Sequence, residues 1–252
     1  MYFFISIIIS LTSVFFYMAY LLQSYTHIWK LQAYLQYIIQ KNPSEYMDKD
    51  IYFPDNHILQ DNWKVIKEEC EAIIQTYGHS IPNFDSIEPG QERIIQNGTW
   101  KTYMLRLLHV NHENATRCPE TIRLLNQCKG IRNAFFSILM PNTTLSPHTG
   151  PCHGVYRYHL PLIVPQSDKC ELIVNGKSKR WIEGEGFMFD DTYLHSASNN
   201  GTEARVVLFL DIDRNDLNMV AHICDRFLNM LLPYTLDYKD ILKLSELPPE
   251  LA

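Results

Sequence analysis

Along the middle of the chain, apolar and polar positions alternate with the period of two expected of strands, and on either side the spacing changes to that of helices. Read as a strand, residues 154–164 (GVYRYHLPLIV) put Arg157 and His159 on one face, with Tyr156, Tyr158, Leu160 and Leu162 on the other. Residues 204–212 repeat the device: Val206, Leu208 and Leu210 share a side, and Arg205 stands with Val207 and Phe209 opposite. Residues 135–139 place Ser137 in the same way. Residues 99–108 are strand-like, with Trp100 and Tyr103 as core positions, and residues 170–182 form a hairpin closed by Asn175-Gly176, a dipeptide that favours the twist-matched turn. Short strands separated by turn signals at this spacing predict an all-β sandwich or barrel with flanking helices.

Helical spacing returns at residues 59–74, where Trp63, Ile66, Cys70 and Ile73 recur on one face and Asp61 or Asn62 can cap the first turn. A short helix is expected within 119–127. Another covers 217–232, whose apolar set Met219, Val220, Ile223, Phe227, Met230 and Leu231 is expected to pack on the outside of the barrel. Residues 23–50 have apolar positions at near-helical spacing (Ile28, Leu31, Tyr34, Leu35, Tyr37, Ile38), ended by Asn42-Pro43-Ser44, and residues 78–98 read as loops over the catalytic face. The chain therefore divides into an apolar segment at 1–22, a helical and loop region at 23–94, a β domain at 95–215, and a C-terminal helix and tail at 216–252.

Residues 1–22 carry no charged side chain and are long enough to span a bilayer, which needs about 20 apolar residues. A cleaved signal peptide fits less well: no basic residue precedes the run, the run is too long, and no small-x-small site follows. A single-pass membrane anchor is the expectation. Its orientation stays open, because Lys30 and Lys41 after the run favour a cytoplasmic domain while sequons at Asn97, Asn114, Asn142 and Asn200 favour a lumenal one. Six cysteines leave the compartment equally open; Cys118 and Cys128 are the one candidate pair, and a helix between them separates their ends. A net charge of −6 gives no basic footprint for nucleic acid, so the partner is a small molecule, a peptide or a lipid.

Candidate chemistry sits on the polar parity of the strands. A buried arginine is costly unless an anion meets it, so Arg157 and Arg205 pointing inward imply a pocket for a small polycarboxylate, although Asp211 or Glu203 is an alternative partner for Arg205. His148 lies in a rigid turn between Pro147 and Gly150-Pro151, and His195 closes residues 189–195. Non-haem iron is commonly held by two histidines and a carboxylate two residues after the first, a position occupied here by Gly150. Asp190 and Asp191 precede His195 as turn and supporting groups, and His153 is expected at the pocket rim near substrate, as is Asp191. Taken singly, each histidine is more often hydrogen-bonded core than ligand.

Residues 118–121 (CPET), 136–141 (FSILMP), 147–151 (PHTGP), 157–160 (RYHL) and 184–191 (GEGFMFDD), followed by His195 and Arg205, stand in one order across about residues 95 to 215. This set resembles the aspartyl/asparaginyl beta-hydroxylase family, which includes membrane-anchored bacterial lipid A hydroxylases. The resemblance implies a double-stranded β-helix (jelly-roll, cupin-like) barrel and dependence on Fe(II), 2-oxoglutarate and O2. It assigns His148 and His195 to the metal, with water where the third carboxylate is missing, in agreement with Gly150. It assigns Arg205 and Ser137 to the distal carboxylate of 2-oxoglutarate, and Arg157 and His159 to the carboxylate nearer the metal. The implied reaction hydroxylates an unactivated C–H bond of an Asp or Asn side chain or of a lipid acyl chain. The alternative is a cupin-like metal-binding protein with non-oxidative or lost activity.

With residues 1–22 as an anchor, the full chain is expected in the membrane pellet and resistant to extraction by salt. Recovery in the supernatant contradicts that expectation.

Overall fold

The computed structural model describes residues 44–87, 92–150 and 152–247 and short stretches between residues 13 and 34, namely 13–14, 16–24, 27–28, 30–31 and 34; the side chains of Glu92, Ser167 and Leu236 are not among those described. The apolar run at 1–22 and the helix expected up to residue 42 lie largely outside the described residues. Among the described residues, no helix is long and apolar enough to cross a membrane.

Twelve strands are described: β1 (Tyr46–Met47), β2 (Ile95–Asn97), β3 (Trp100–Leu107), β4 (Val110–Asn111), β5 (Ile131–Leu139), β6 (Thr143–His148), β7 (Val155–Ile163), β8 (Cys170–Val174), β9 (Lys177–Lys179), β10 (Phe187–Phe189), β11 (His195–Asn199) and β12 (Arg205–Asp213). They form a large sheet of order β1-β10-β7-β12-β5-β3-β4 and a small sheet of order β2-β6-β11-β8-β9. From β5 onward the chain passes back and forth between them, with β5, β7, β10 and β12 in the large sheet and β6, β8, β9 and β11 in the small one. That is an eight-stranded jelly roll, the all-β architecture expected from the strand spacing and the barrel that the resemblance implies. The β8–β9 turn has Asn175 and Gly176 at φ 50° and 77°, as an Asn-Gly hairpin turn requires.

The large sheet uses its two faces differently. Its apolar parity, including Phe136, Tyr158, Leu160, Leu162, Leu208 and Leu210, points out of the barrel. There it buries against helix α1 (Trp63–Tyr77), through Ile66, Cys70 and Ile73, and against helix α2 (Pro119–Leu125), through Leu124 and Leu125. Most of the core therefore lies between sheet and helices, and the inward parity is free to carry polar groups. Asn62 begins α1 without capping it by its side chain, whose amide donates to the Ile58 carbonyl at 2.9 Å instead. Cys118 and Cys128 flank α2 as free buried thiols, as the intervening helix leads one to expect.

Helix α3 (Met219–Leu231) departs from the expected packing. It buries Ala221, Asp225, Leu228 and Leu231, whereas Met219, Val220, Ile223, Phe227 and Met230 are exposed. The cause is a buried ion network: Arg132 on β5 donates through Nε to Asp213 at 2.6 Å and through Nη2 to Asp225 at 3.0 Å. A buried guanidinium needs those carboxylates, so Asp225 must face the barrel, and this rotates the apolar set away from it. Helix α4 (Leu236–Ser245) then closes the barrel end.

Asn114, one of the four sequon asparagines, is only 1% exposed. Its amide donates to the Ser245 carbonyl at 2.7 Å and its oxygen accepts from the Leu247 amide at 3.2 Å, so it cannot carry a glycan in this fold. Asn114→Ala leaves those backbone groups unmet and is expected to cost about 1–3 kcal/mol in urea unfolding. Asn97→Ala, at an exposed position, is expected to change stability by less than about 0.5 kcal/mol.

Candidate functional site

The pairing of β6 with β11 sets the two histidines opposite one another, since His195 is the cross-strand partner of His148. Their ring centroids are 4.2 Å apart. In each ring Nδ1 meets the carbonyl oxygen two residues upstream, Ser146 at 2.7 Å for His148 and Tyr193 at 2.9 Å for His195. A carbonyl only accepts, so both rings carry their proton on Nδ1 and a lone pair on Nε2, the form that binds a metal. Burial, then the neighbouring His195, lowers the pKa of His148 to about 4; burial likewise lowers that of His195. Burial thus favours the neutral form of both rings.

Facing them across the barrel is the inward parity of the large sheet. Register pairs Asp211 with Arg157 and Phe209 with His159 between β12 and β7, and Val207 with Ser137 between β12 and β5. Arg205, Arg157, His159 and Ser137 thus share one face, as expected from periodicity. Together with the histidine pair they line a single cavity of about 470 Å³, within the range of small-molecule sites.

The two arginines differ in what meets them. Arg157 is bound from both sides, donating through Nε to Asp191 at 2.8 Å and through Nη1 to Asp211, with its guanidinium over the Phe209 ring. Arg205 is fully buried above the Trp181 ring at 4.4 Å, and its Nε and Nη1 have no hydrogen-bond partner among the described residues. Burial alone pulls its pKa down to about 10. Asp211, the alternative partner for Arg205, is committed to Arg157 and to the Asn133 amide at 2.6 Å.

His159 adds a second open donor. Trp181 Nε1 donates to its Nδ1 at 3.2 Å, which places the proton on Nε2, and that buried atom is also without a partner. Ser137 Oγ accepts from Trp100 Nε1 at 2.9 Å and keeps its own hydroxyl proton to donate. The cavity thus presents unmet donors from a guanidinium and an imidazole on one wall and a neutral histidine pair on the other.

Residues 60–215 match the model of the family described as aspartyl/asparaginyl beta-hydroxylase. The chain belongs to that family. Among its relatives, an ornithine lipid ester-linked acyl 2-hydroxylase of Rhizobium tropici is 34% identical over 185 residues, covering 73% of this chain and 65% of that protein. Aspartate beta-hydroxylase domain-containing protein 2 of Xenopus tropicalis is 32% identical over 178 residues, covering 66% of this chain and 46% of that protein. The chain therefore spans less than two thirds of either relative's length. A cupin domain of Schizosaccharomyces pombe Cnp3 is 14% identical with a TM-score of 0.32, covering 47% of this chain and 67% of that one.

The residues present fit what this hydroxylase family would require. Unmet buried donors on Arg205 and His159 suit a carboxylate, and two imidazoles with Nδ1 already engaged suit a metal. Among the described residues, no cluster of three or more histidine, cysteine or carboxylate side chains is placed to hold an ion. A Cβ added at Gly150 would fall on the Asp191 carboxylate, so the space that a third ligand at 150 would need is already taken. Asp191 is held there by Arg157 and by the Gly150 amide, which donates to its carbonyl at 2.7 Å, and its Oδ1 remains unmet.

His153 does not line the cavity itself, but it stands close enough to Asp191 on the cavity wall to interact with that carboxylate, and its carbonyl accepts from Arg214 at 3.2 Å. Arg157 already meets two of the protein's own carboxylates, Asp191 and Asp211, which leaves less of its guanidinium for the external carboxylate that the resemblance assigns to it. Trp181 and Asp211 were not among the expected site residues. Asp211 shares parity with Arg205, which was a usable signal, whereas Trp181 follows a hairpin whose return path only the fold shows.

The lowered pKa values of His148, His159 and His195 carry a sign. The unfolded chain titrates its histidines near about 6.5 and binds more protons than the fold below that value. The stability from these three groups is full above about pH 6.5 and is lost as pH falls below it through their lowered folded values, about 4 for His148. Urea midpoints at about pH 7.5 and about pH 5 are expected to show this loss, and His159→Gln is expected to shrink it.

Proposed function

We propose that the chain is an iron(II)- and 2-oxoglutarate-dependent hydroxylase acting on a lipid acyl chain, anchored to a membrane through residues 1–22. The observation that carries the proposal is Arg205, a fully buried cation whose Nε and Nη1 point at no carboxylate of the described protein. An unpaired buried charge is too costly to be a resting arrangement, so the site is built for an anion that arrives with a ligand. His148 and His195 would hold iron(II), which when bound supplies oxidative attack on an unactivated C–H bond with O2 and 2-oxoglutarate as co-reactants.

The remaining work belongs to the protein. Arg205 and the Ser137 hydroxyl bind the distal carboxylate, and the His159 Nε2–H donates to the end nearer the metal. Arg157 fixes Asp191 beside the histidine pair, where Asp191 Oδ1 can accept from a water in the place of the missing ligand. Phe189, Phe209 and Trp181 wall the cavity against bulk water.

Substrate class follows from the rest of the cavity. The same cavity is also lined by Ile87, Met104, Leu107, Leu108, Leu232 and Ile241, with Lys30 and Arg93 on its wall. An apolar lining of this kind suits an acyl chain better than a carboxylate or amide side chain, and the two cations suit an anionic head group. The named activity of the Rhizobium tropici relative points the same way.

Arg205→Ala is expected to raise the KM for 2-oxoglutarate at least about 30-fold, since truncating one partner of a buried charge pair costs about 2 kcal/mol or more. Metal affinity measured by calorimetry is expected to be unchanged, and Arg205→Lys to recover part of the loss. Iron-dependent succinate release, with one added oxygen on a membrane lipid by mass spectrometry, is the expected activity. Turnover with zinc alone refutes the oxygenase, and oxygen on Asp or Asn peptides instead of lipid refutes the acyl substrate.

A further inference from the structure

Helix α3 carries a surface that the proposed hydroxylase chemistry does not use. Met219, Ile223 and Met230 are 76%, 59% and 60% exposed, and Val220 and Phe227 are exposed beside them. At 3.6 residues per turn these five fall within an arc of about 100°. The opposite side of the helix, Ala221, Leu228 and Leu231, is buried against the protein. The exposed polar positions His222 and Arg226 lie in the strip between, where Asn229 also donates to the Asp225 carbonyl at 2.8 Å, and Asp225 itself is on the buried side. A helix with two apolar faces, one of them bare, is unusual for a solvated surface, where apolar side chains are normally scattered singly.

The rotation of the helix is not free to change. Asp225 is tied to Arg132 and Asn229 to both, since Arg132 Nη1 donates to Asn229 Oδ1 at 3.0 Å. Turning the five apolar side chains inward would strand the Arg132 charge, so the fold holds them outward.

We propose that this face is a membrane-docking surface, with α3 lying along the bilayer interface and its five exposed apolar side chains seated among lipid acyl chains. Three observations select a lipid bilayer as the occupant. Through Leu228, Leu231 and Leu232, α3 and the turn after it pack on Leu21 and Ile28, the part of the chain into which the uncharged run 1–22 leads. The described part of that run exposes Val14, Phe16, Tyr17 and Tyr20 as well, so the bare apolar face adjoins a segment of the same character. Finally, Leu232 and Ile241 of this corner line the cavity, with Lys30 on the wall and Arg226 beside the apolar arc to meet anionic head groups.

The inference goes beyond the proposed hydroxylation, and its test does not depend on activity. Full-length chain carrying Cys224→Ser and either Ile223→Cys or Phe227→Cys is labelled with an environment-sensitive fluorophore and reconstituted in phosphatidylcholine–phosphatidylglycerol vesicles containing nitroxide-labelled lipid. Both positions are expected to show a blue shift and loss of fluorescence to the nitroxide lipid. Glu68→Cys, exposed on α1, is expected to show neither, and circular dichroism checks that each variant is folded. Absence of lipid quenching at 223 and 227 overturns the inference, whether residues 1–12, a second copy or a soluble protein covers the face. Quenching in a chain that proves inactive on acyl lipids leaves the inference standing and removes only the proposed reaction.

Discussion

Arg157 and Arg205 project from neighbouring strands into one enclosed space, and moving either cation out of water costs several kcal/mol unless a carboxylate meets it. The protein supplies two carboxylates to Arg157, and Asp191 and Asp211 are thereby fixed on either side of it. It supplies none among the described residues to Arg205, whose guanidinium rests on Trp181 with two nitrogens open. The first arrangement makes a rigid scaffold beside the histidine pair. The second leaves buried donors turned toward the cavity, and the proposed anion site rests on that difference.

Such an interior is affordable because the barrel does not rely on it for stability. The large sheet turns its Tyr, Leu and Phe parity outward onto α1 and α2, where most of the apolar core forms. Inside, the smaller cluster around Trp181, Phe187, Phe189 and Val207 packs beneath the polar groups and keeps them dry. Drying strengthens each of the interactions it surrounds and keeps His148, His159 and His195 neutral.

The same logic of buried charge acts at the far end of the molecule. Arg132 draws Asp213 and Asp225 together, and with Asp225 committed, α3 has one rotation available. Its larger apolar side chains are left outside, next to the N-terminal segment and to the residues that wall the channel. One ion network thereby fixes which face of the helix the protein shows at this corner.

The sequence alone determined the main strands and which side chains share the inner face, because a period of two is a local property: knowing that Arg157 and His159 share a face needs only the residues between them. Asn175-Gly176 announced its hairpin for the same reason, and the order of short segments from 118 to 205 identified the family. What lay beyond reach were partners brought together from distant strands. That Asp211 would clasp Arg157 and leave Arg205 open depends on β12 lying between β5 and β7. The burial of Asn114 depends on the tail returning across β3, and the outward turn of Met219, Ile223 and Phe227 on a carboxylate pairing with an arginine 93 residues away. Helical periodicity shows that a helix has an apolar face, but when it has two, only the tertiary ion pair decides which is buried.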